Sequence, residues 1–140
     1  MTALAANKAT KRMGVTPAVI NYPPSVPVAA TSHIFAGALV CASATGFATP
    51  GAVATTLTAL GVAEEEADNS AGADGAIKVR VRRGAHLFVN DGTNPVTQAD
   101  LFKNVYIVDD QTVSTLGTGR SIAGKFLGFE GAACIVQVGC

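Results

Sequence analysis

Residues 77–89 constrain this chain more than any other stretch. Ile77, Val79 and Val81 alternate with Lys78, Arg80 and Arg82. Successive side chains of a strand point to opposite faces, so this run has one aliphatic face and one row of cations. Arg83 and Gly84 interrupt it as a tight turn or a bulge does, and residues 85–89 continue as a second extended piece. The spacing predicts a hairpin with the other strands built around it. Just upstream, Glu64, Glu65, Glu66, Asp68 and Asp74 lie in a Gly/Ala/Ser-rich segment without an apolar period. That composition predicts a solvated loop.

Charge is segregated along the chain. Ten Lys and Arg balance ten Asp and Glu, so net charge gives no argument for nucleic acid or a membrane surface. Residues 1–30, however, carry Lys8, Lys11 and Arg12 and no acid, residues 64–74 carry only acids, and residues 78–83 carry only bases. Blocks of opposite sign suit pairing between surfaces, within one molecule or between subunits. The candidate interface residues are therefore Lys78, Arg80 and Arg82 with Glu64, Glu65 and Glu66, together with Lys8, Lys11, Arg12 and Tyr22 of the N-terminal segment.

The chain divides into an N-terminal arm, residues 1–27, and a β-domain, residues 28–140. Thr16-Pro17 and the run Tyr22-Pro23-Pro24-Ser25-Val26-Pro27 favour extended or polyproline backbone. Val19, Ile20 and Tyr22 point to an arm that orders against a neighbour rather than a purely solvating tail. From Val28 onward, short apolar runs alternate with turn signals. Strands are expected at 33–42, 47–49, 55–63, 76–89, 105–108, 112–116, 121–129 and 132–138. Asp91-Gly92 marks a turn, and Thr97 followed by Asp100 is expected to cap one helical turn within 96–102. A chain of 140 residues with strands at this spacing fits a single all-β domain, a compact barrel, β-tulip or sandwich. No run reaches the ~18 apolar residues of a membrane span, and the basic and apolar parts of residues 8–41 fit a signal peptide poorly. Secretion and lipidation are not expected.

The chemistry-bearing residues are sparse. Cys41, Cys134 and Cys140 show no metal-ligand spacing. Cys41 and Cys134 read as small buried hydrophobes, Cys140 as exposed, and a reducing compartment as the simplest setting. Gly117-Thr118-Gly119-Arg120-Ser121 lacks the glycine spacing and Lys of a phosphate loop and reads as a turn. His33 and His86 have no nucleophile placed beside them and read as structural or surface histidines. Glu64–Glu66 and Asp109-Asp110 lack the alternating oxygen ligands of a calcium loop. The cationic row at 78–82 has no aromatic platform for bases. No enzyme, metal, cofactor, nucleic-acid or membrane role is expected.

From Ser32 onward the order of features resembles the phage capsid cement, or head decoration, proteins. The similar elements are Phe35-Ala36-Gly37-Ala38-Leu39-Val40 followed by a Thr-Gly-Phe turn, and Leu60-Gly61-Val62-Ala63-Glu64 before the acidic loop. They continue with the whole run 77–88, then Lys103-Asn104-Val105-Tyr106-Ile107-Val108-Asp109-Asp110, then Ile122-Ala123-Gly124-Lys125-Phe126-Leu127-Gly128-Phe129, and finally Ala133-Cys134-Ile135-Val136-Gln137-Val138. The resemblance implies a small β-barrel or β-tulip protein, trimeric, on the outer surface of a phage head. It would bind where capsomers of the major capsid protein meet, stabilise that lattice and catalyse nothing. Residues 1–27 fall outside the resemblance; as an arm they would lie along the capsid or an adjacent decoration subunit. Two other readings are a host-surface, glycan-binding β-module and a tail or baseplate component.

Overall fold

The computed structural model describes residues 2–13 and 25–139. Among them all regular structure is β, apart from one 3-10 turn at Gln98–Asp100, so the all-β expectation is met. The first five strands are β1 (Arg12–Met13), β2 (Ser25–Pro27), β3 (His33–Ile34), β4 (Leu39–Ala42) and β5 (Ala48–Pro50). Four more follow: β6 (Thr58–Ala63), β7 (Ala67–Asp68), β8 (Lys78–Arg82) and β9 (Gly84–Asn90). The last are β10 (Asn104–Ile107), β11 (Thr112–Ser114), β12 (Ile122–Glu130) and β13 (Ala133–Val138).

The strand pairings close two rings. In the first, the order β9-β11-β10-β12-β13 returns to β9 through the β13–β9 pairing. Only β11 and β9 run parallel in it. In the second, β2-β8-β6-β4-β5 is closed by a bridge between Val28, which follows β2, and Ala48 of β5. A closed ring leaves no unpaired edge for another chain to extend. The short pair β3–β7 contributes Ile34 and Ala67 to the interior of the second ring.

Each ring has its own core. The first is filled by Phe88, Val105, Ile107, Val113, Phe126, Cys134, Val136 and Val138, among others. The second is filled by Val28, Ile34, Val40, Val79 and Val81 with the small residues Ala38, Ala48, Ala63 and Ala67. Strands β4 and β6 serve both. Leu39, Cys41 and Val62 belong to the first core, while Val40 and Ala63 belong to the second. A strand with core on both faces has no polar face, which is why β4 reads Leu-Val-Cys-Ala without alternation. Cys41 and Cys134 are buried, as expected. Burial pushes the Cys41 thiol up to about 12 and the Cys134 thiol up to about 11, so both stay protonated at neutral pH.

The structure revises several sequence expectations. Strands β8 and β9 do not pair with each other and lie in different rings. One residue, Arg83, separates them, and a hairpin needs a loop of at least about two. Gly84, at φ 126°, takes the bend where the chain passes between rings. Alternation in β8 is as read: Val79 and Val81 are buried while Lys78 and Arg80 are exposed. The acidic segment is more ordered than a solvated loop. Asp68 lies in β7, and buried Asn69 donates from Nδ2 to the carbonyls of Ala29 (3.0 Å) and Ala73 (2.9 Å). The strand expected at 33–42 is two, β3 and β4, broken by a turn in which Ala38 N–H donates to Phe35 O. Residues 25–27, read as part of the arm, pair with β8 at Arg80, Val79 and Lys78. The capped turn is present as expected, with Asp100 accepting from Thr97 N (2.9 Å).

Candidate interaction surface

The acidic and basic blocks meet on one molecule. Glu64 N–H donates to Arg80 O, which brings the acidic run alongside β8. Arg82 then pairs with Glu64 at 3.0 Å and Arg80 with Glu65 at 3.3 Å. Glu66 faces away from β8 and accepts from Asn7 Nδ2 at 3.1 Å, with His33 Nε2 at 2.7 Å. Four of the sequence-predicted residues thus form one charged patch whose charges answer each other, and Glu66 is answered by Asn7 and His33 instead. Lys78 is exposed at the other end of β8. Both ion pairs are largely solvated, so each contributes below about 1 kcal/mol. Arg82→Ala is expected to shift the denaturation midpoint by no more than that, and by less in 1 M salt. A larger loss, unaffected by salt, would mean that the side chain packs rather than pairs.

Residues 2–13 lie on the chain's own rings as a strap. Leu4 N donates to Asp110 Oδ1 (2.8 Å), Gln111 Nε2 donates to Thr2 O, and Lys8 Nζ donates to Gln111 Oε1 (3.3 Å). Lys8 N donates to Ala36 O (2.7 Å), Ala36 N donates to Asn7 Oδ1 (2.9 Å), and Thr10 Oγ1 donates to Gly37 O. Beyond these, Lys11 pairs with Glu130 at 3.3 Å, and β1 pairs with β9 at His86 and Ala85. Lys8 and Lys11, read as cations for a partner, therefore have partners within the chain, and Arg12 takes part in β1. Tyr22 lies outside the described residues, as does Cys140. Asp109-Asp110, weighed as a calcium pair, forms a turn instead: Asp109 Oδ1 accepts from Gln111 N at 2.9 Å. Burial pushes the Asp110 carboxyl above its ordinary range, partly offset by the Leu4 N–H bond.

Glu66 and Asp68 make this face pH-sensitive. The His33 hydrogen bond, with that of Asn7, holds the Glu66 carboxyl below its ordinary range, and Ser70 does the same for Asp68. A carboxyl lowered by folding contributes stability above its unfolded pKa and loses it as pH falls through the folded value. Unfolding midpoints are thus expected to drop below about pH 4, and Glu66→Gln is expected to flatten that drop. An unchanged profile would exclude Glu66 from the linkage. His86, read as structural, is buried and donates from Nε2 to Arg82 O at 3.1 Å.

Three features escaped the sequence reading. An open groove of about 840 Å³ is lined by Arg83, Arg120 and Lys125 among hydroxyl, amide and aliphatic side chains, Leu57, Leu60 and Ile122 being the largest of the last. Arg120 is held 3.8 Å from buried Asp91. A shallow apolar recess lies against Val89, Phe129, Ala132 and Ala133. The third is the turn at Asp100–Lys103. Lys103 N donates to Asp100 O at 2.9 Å, Leu101 has φ −53° and ψ 126°, and Phe102 has φ 61°. These are the angles of a type II turn, whose third position calls for glycine. An L-residue held there costs about 1–2 kcal/mol. The signal was a capped turn followed by no glycine.

Among the described residues no group of three or more His, Cys, Asp or Glu is placed to hold a metal. No helix among them is long and apolar enough to cross a membrane. No protein-family model, curated protein or solved structure matches this chain.

Proposed function

We propose that this chain is a phage capsid decoration, or cement, protein. It would act as a trimer on the outer surface of the head, binding the major capsid protein where capsomers meet. One observation carries the reading. The motifs resembling that family fall, in order, on β4, β6, β8–β9, β10, β12 and β13, seven of the ten strands in the two rings. The architecture suits the role. Two rings closed on themselves resist edge-to-edge aggregation at the high local concentration of a capsid surface. Segregated charges that meet within one molecule leave adhesion to a limited set of exposed groups. Each copy then adds a modest interface, and many copies together stabilise the lattice by preferential binding to the assembled state.

The test is co-sedimentation with expanded phage heads that lack their decoration protein, with the mass of the free protein measured by light scattering. Saturable binding at a fixed ratio to capsid subunits, with heads that resist higher temperature, is the expected result. Absence of binding would remove the reading and direct attention to glycan and host-cell screens.

A further inference from the structure

We propose that the turn Asp100–Lys103 is an anchor, and that Phe102 inserts into an apolar pocket, rimmed by carboxylates, on the protein shell beneath. This inference rests on the decoration reading. Three observations converge on the turn. Phe102 is 63% exposed, the most exposed of the large apolar side chains described, and neighbouring Leu101 is 36% exposed. Phe102 is also one of only two non-glycine residues at positive φ among those described; the other is Thr31. A phenylalanine in the glycine position of a type II turn adds strain, and with most of its ring in water it regains little of that by burial within the chain. Strain of this kind persists where the surrounding structure over-determines it, and it gathers at binding sites.

The surroundings do hold it. Phe102 N donates to Phe126 O (2.8 Å), and Phe126 N donates to Lys103 O (2.9 Å), so the turn is stitched to β12 on both sides. Behind it, Asp100 accepts from Thr97 N and, at 3.1 Å, from Thr115 Oγ1. Little freedom is lost when such a rigid aromatic docks, a property of interface hot spots.

The charges around the turn indicate the partner. Lys103 is in the turn, and Lys125 sits beside it through the Asn104↔Lys125 pairing of β10 and β12. Both are exposed, and neither is in an ion pair among the described residues. The one carboxylate of the turn, Asp100, faces inward to its two threonines. An aromatic knob with two cations beside it fits an apolar pocket with an acidic rim. A lipid surface is the weaker match, because one Phe and a mostly covered Leu insert less apolar area than a single acyl chain, which itself binds only marginally.

The experiment compares the full chain with Phe102→Asn, Phe102→Tyr and the double variant Lys103→Glu/Lys125→Glu on expanded heads lacking decoration protein. Asparagine tolerates positive φ, so Phe102→Asn is expected to melt about 3 °C higher while binding at least tenfold more weakly. Phe102→Tyr is expected to bind within about threefold of the parent. The charge-reversed double variant is expected to bind more weakly, with a reduced dependence on salt. If the parent binds and Phe102→Asn binds equally, the anchor is overturned and the decoration reading stands. If the parent does not bind, the decoration reading fails and takes the shell partner with it. A lower melting point for Phe102→Asn would make the ring structural and overturn the proposal. So would Phe102-dependent binding of the parent to phosphatidylglycerol vesicles, which would assign the turn to a membrane.

Discussion

Leu39→Ala is expected to lower the stability of the whole chain by about 3 kcal/mol, in one transition. Leu39 is fully buried in the first core, and truncation there opens a cavity that the surrounding strands fill only in part. The next residue, Val40, is equally buried but in the second core, and Val40→Ala is expected to cost about 2 kcal/mol. Strands β4 and β6 belong to the second ring, yet their side chains fill both cores, so neither core keeps its wall when the other opens. Amide hydrogen exchange reads this directly. Under Leu39→Ala, protection in β8, which lies only in the second ring, should fall by the same free energy as protection in β13. Loss confined to β9–β13 would show two independently stable units.

Gly37→Ala is the second large effect. Gly37 has φ 86°, and a Cβ there would overlap the carbonyl oxygen of Lys8 and crowd Thr10 Oγ1. The backbone strain alone is about 1–2 kcal/mol, and the overlap is with backbone, which has no rotamer to escape through. The strap is therefore expected to lift, with a total loss of at least about 2 kcal/mol. Exchange protection at residues 4–11 should disappear while the β9–β13 ladder stays protected, and trypsin should cut at Lys8 and Lys11. A chain lacking residues 2–11 should then be indifferent to the overlap with Lys8 and retain only the strain. If Gly37→Ala keeps its strap and its stability, the close approach described above is not what seats the N-terminal segment.

What was legible in the sequence was local. The two-residue period of Val79 and Val81 gave β8 and its buried face, and Thr97 with Asp100 gave the capped turn, because both patterns act over a few residues. The closure of the rings was not legible. Val28 meets Ala48, and Phe88 meets Cys134, across distances that no periodicity spans. The apolar run at Leu39–Ala42 signalled a strand, but a run buried on both faces does not say how many cores it separates. The hairpin expected at Arg83 failed because two consecutive alternating runs look alike whether the chain reverses or moves on to another sheet. The interface candidates were found as charges; that Arg80 and Arg82 meet Glu65 and Glu64 of their own chain depends on β6 and β8 being neighbours. Phe102 was seen only as part of a turn, since a sequence shows a missing glycine but not a positive φ.

The closed first ring also bears on how the molecule assembles in time. Strand β9 needs β13, some fifty residues downstream, before its ladder is complete. Pairings of such long sequence separation carry the loop-closure entropy in advance and fold on the slow side, in milliseconds to seconds. Until they form, the apolar run through Leu87, Phe88 and Val89 presents bare backbone to whatever is nearby. Among the described residues the closed rings offer a neighbour no long strand edge, whereas the nascent chain has one, so crowding threatens its synthesis more than its working life.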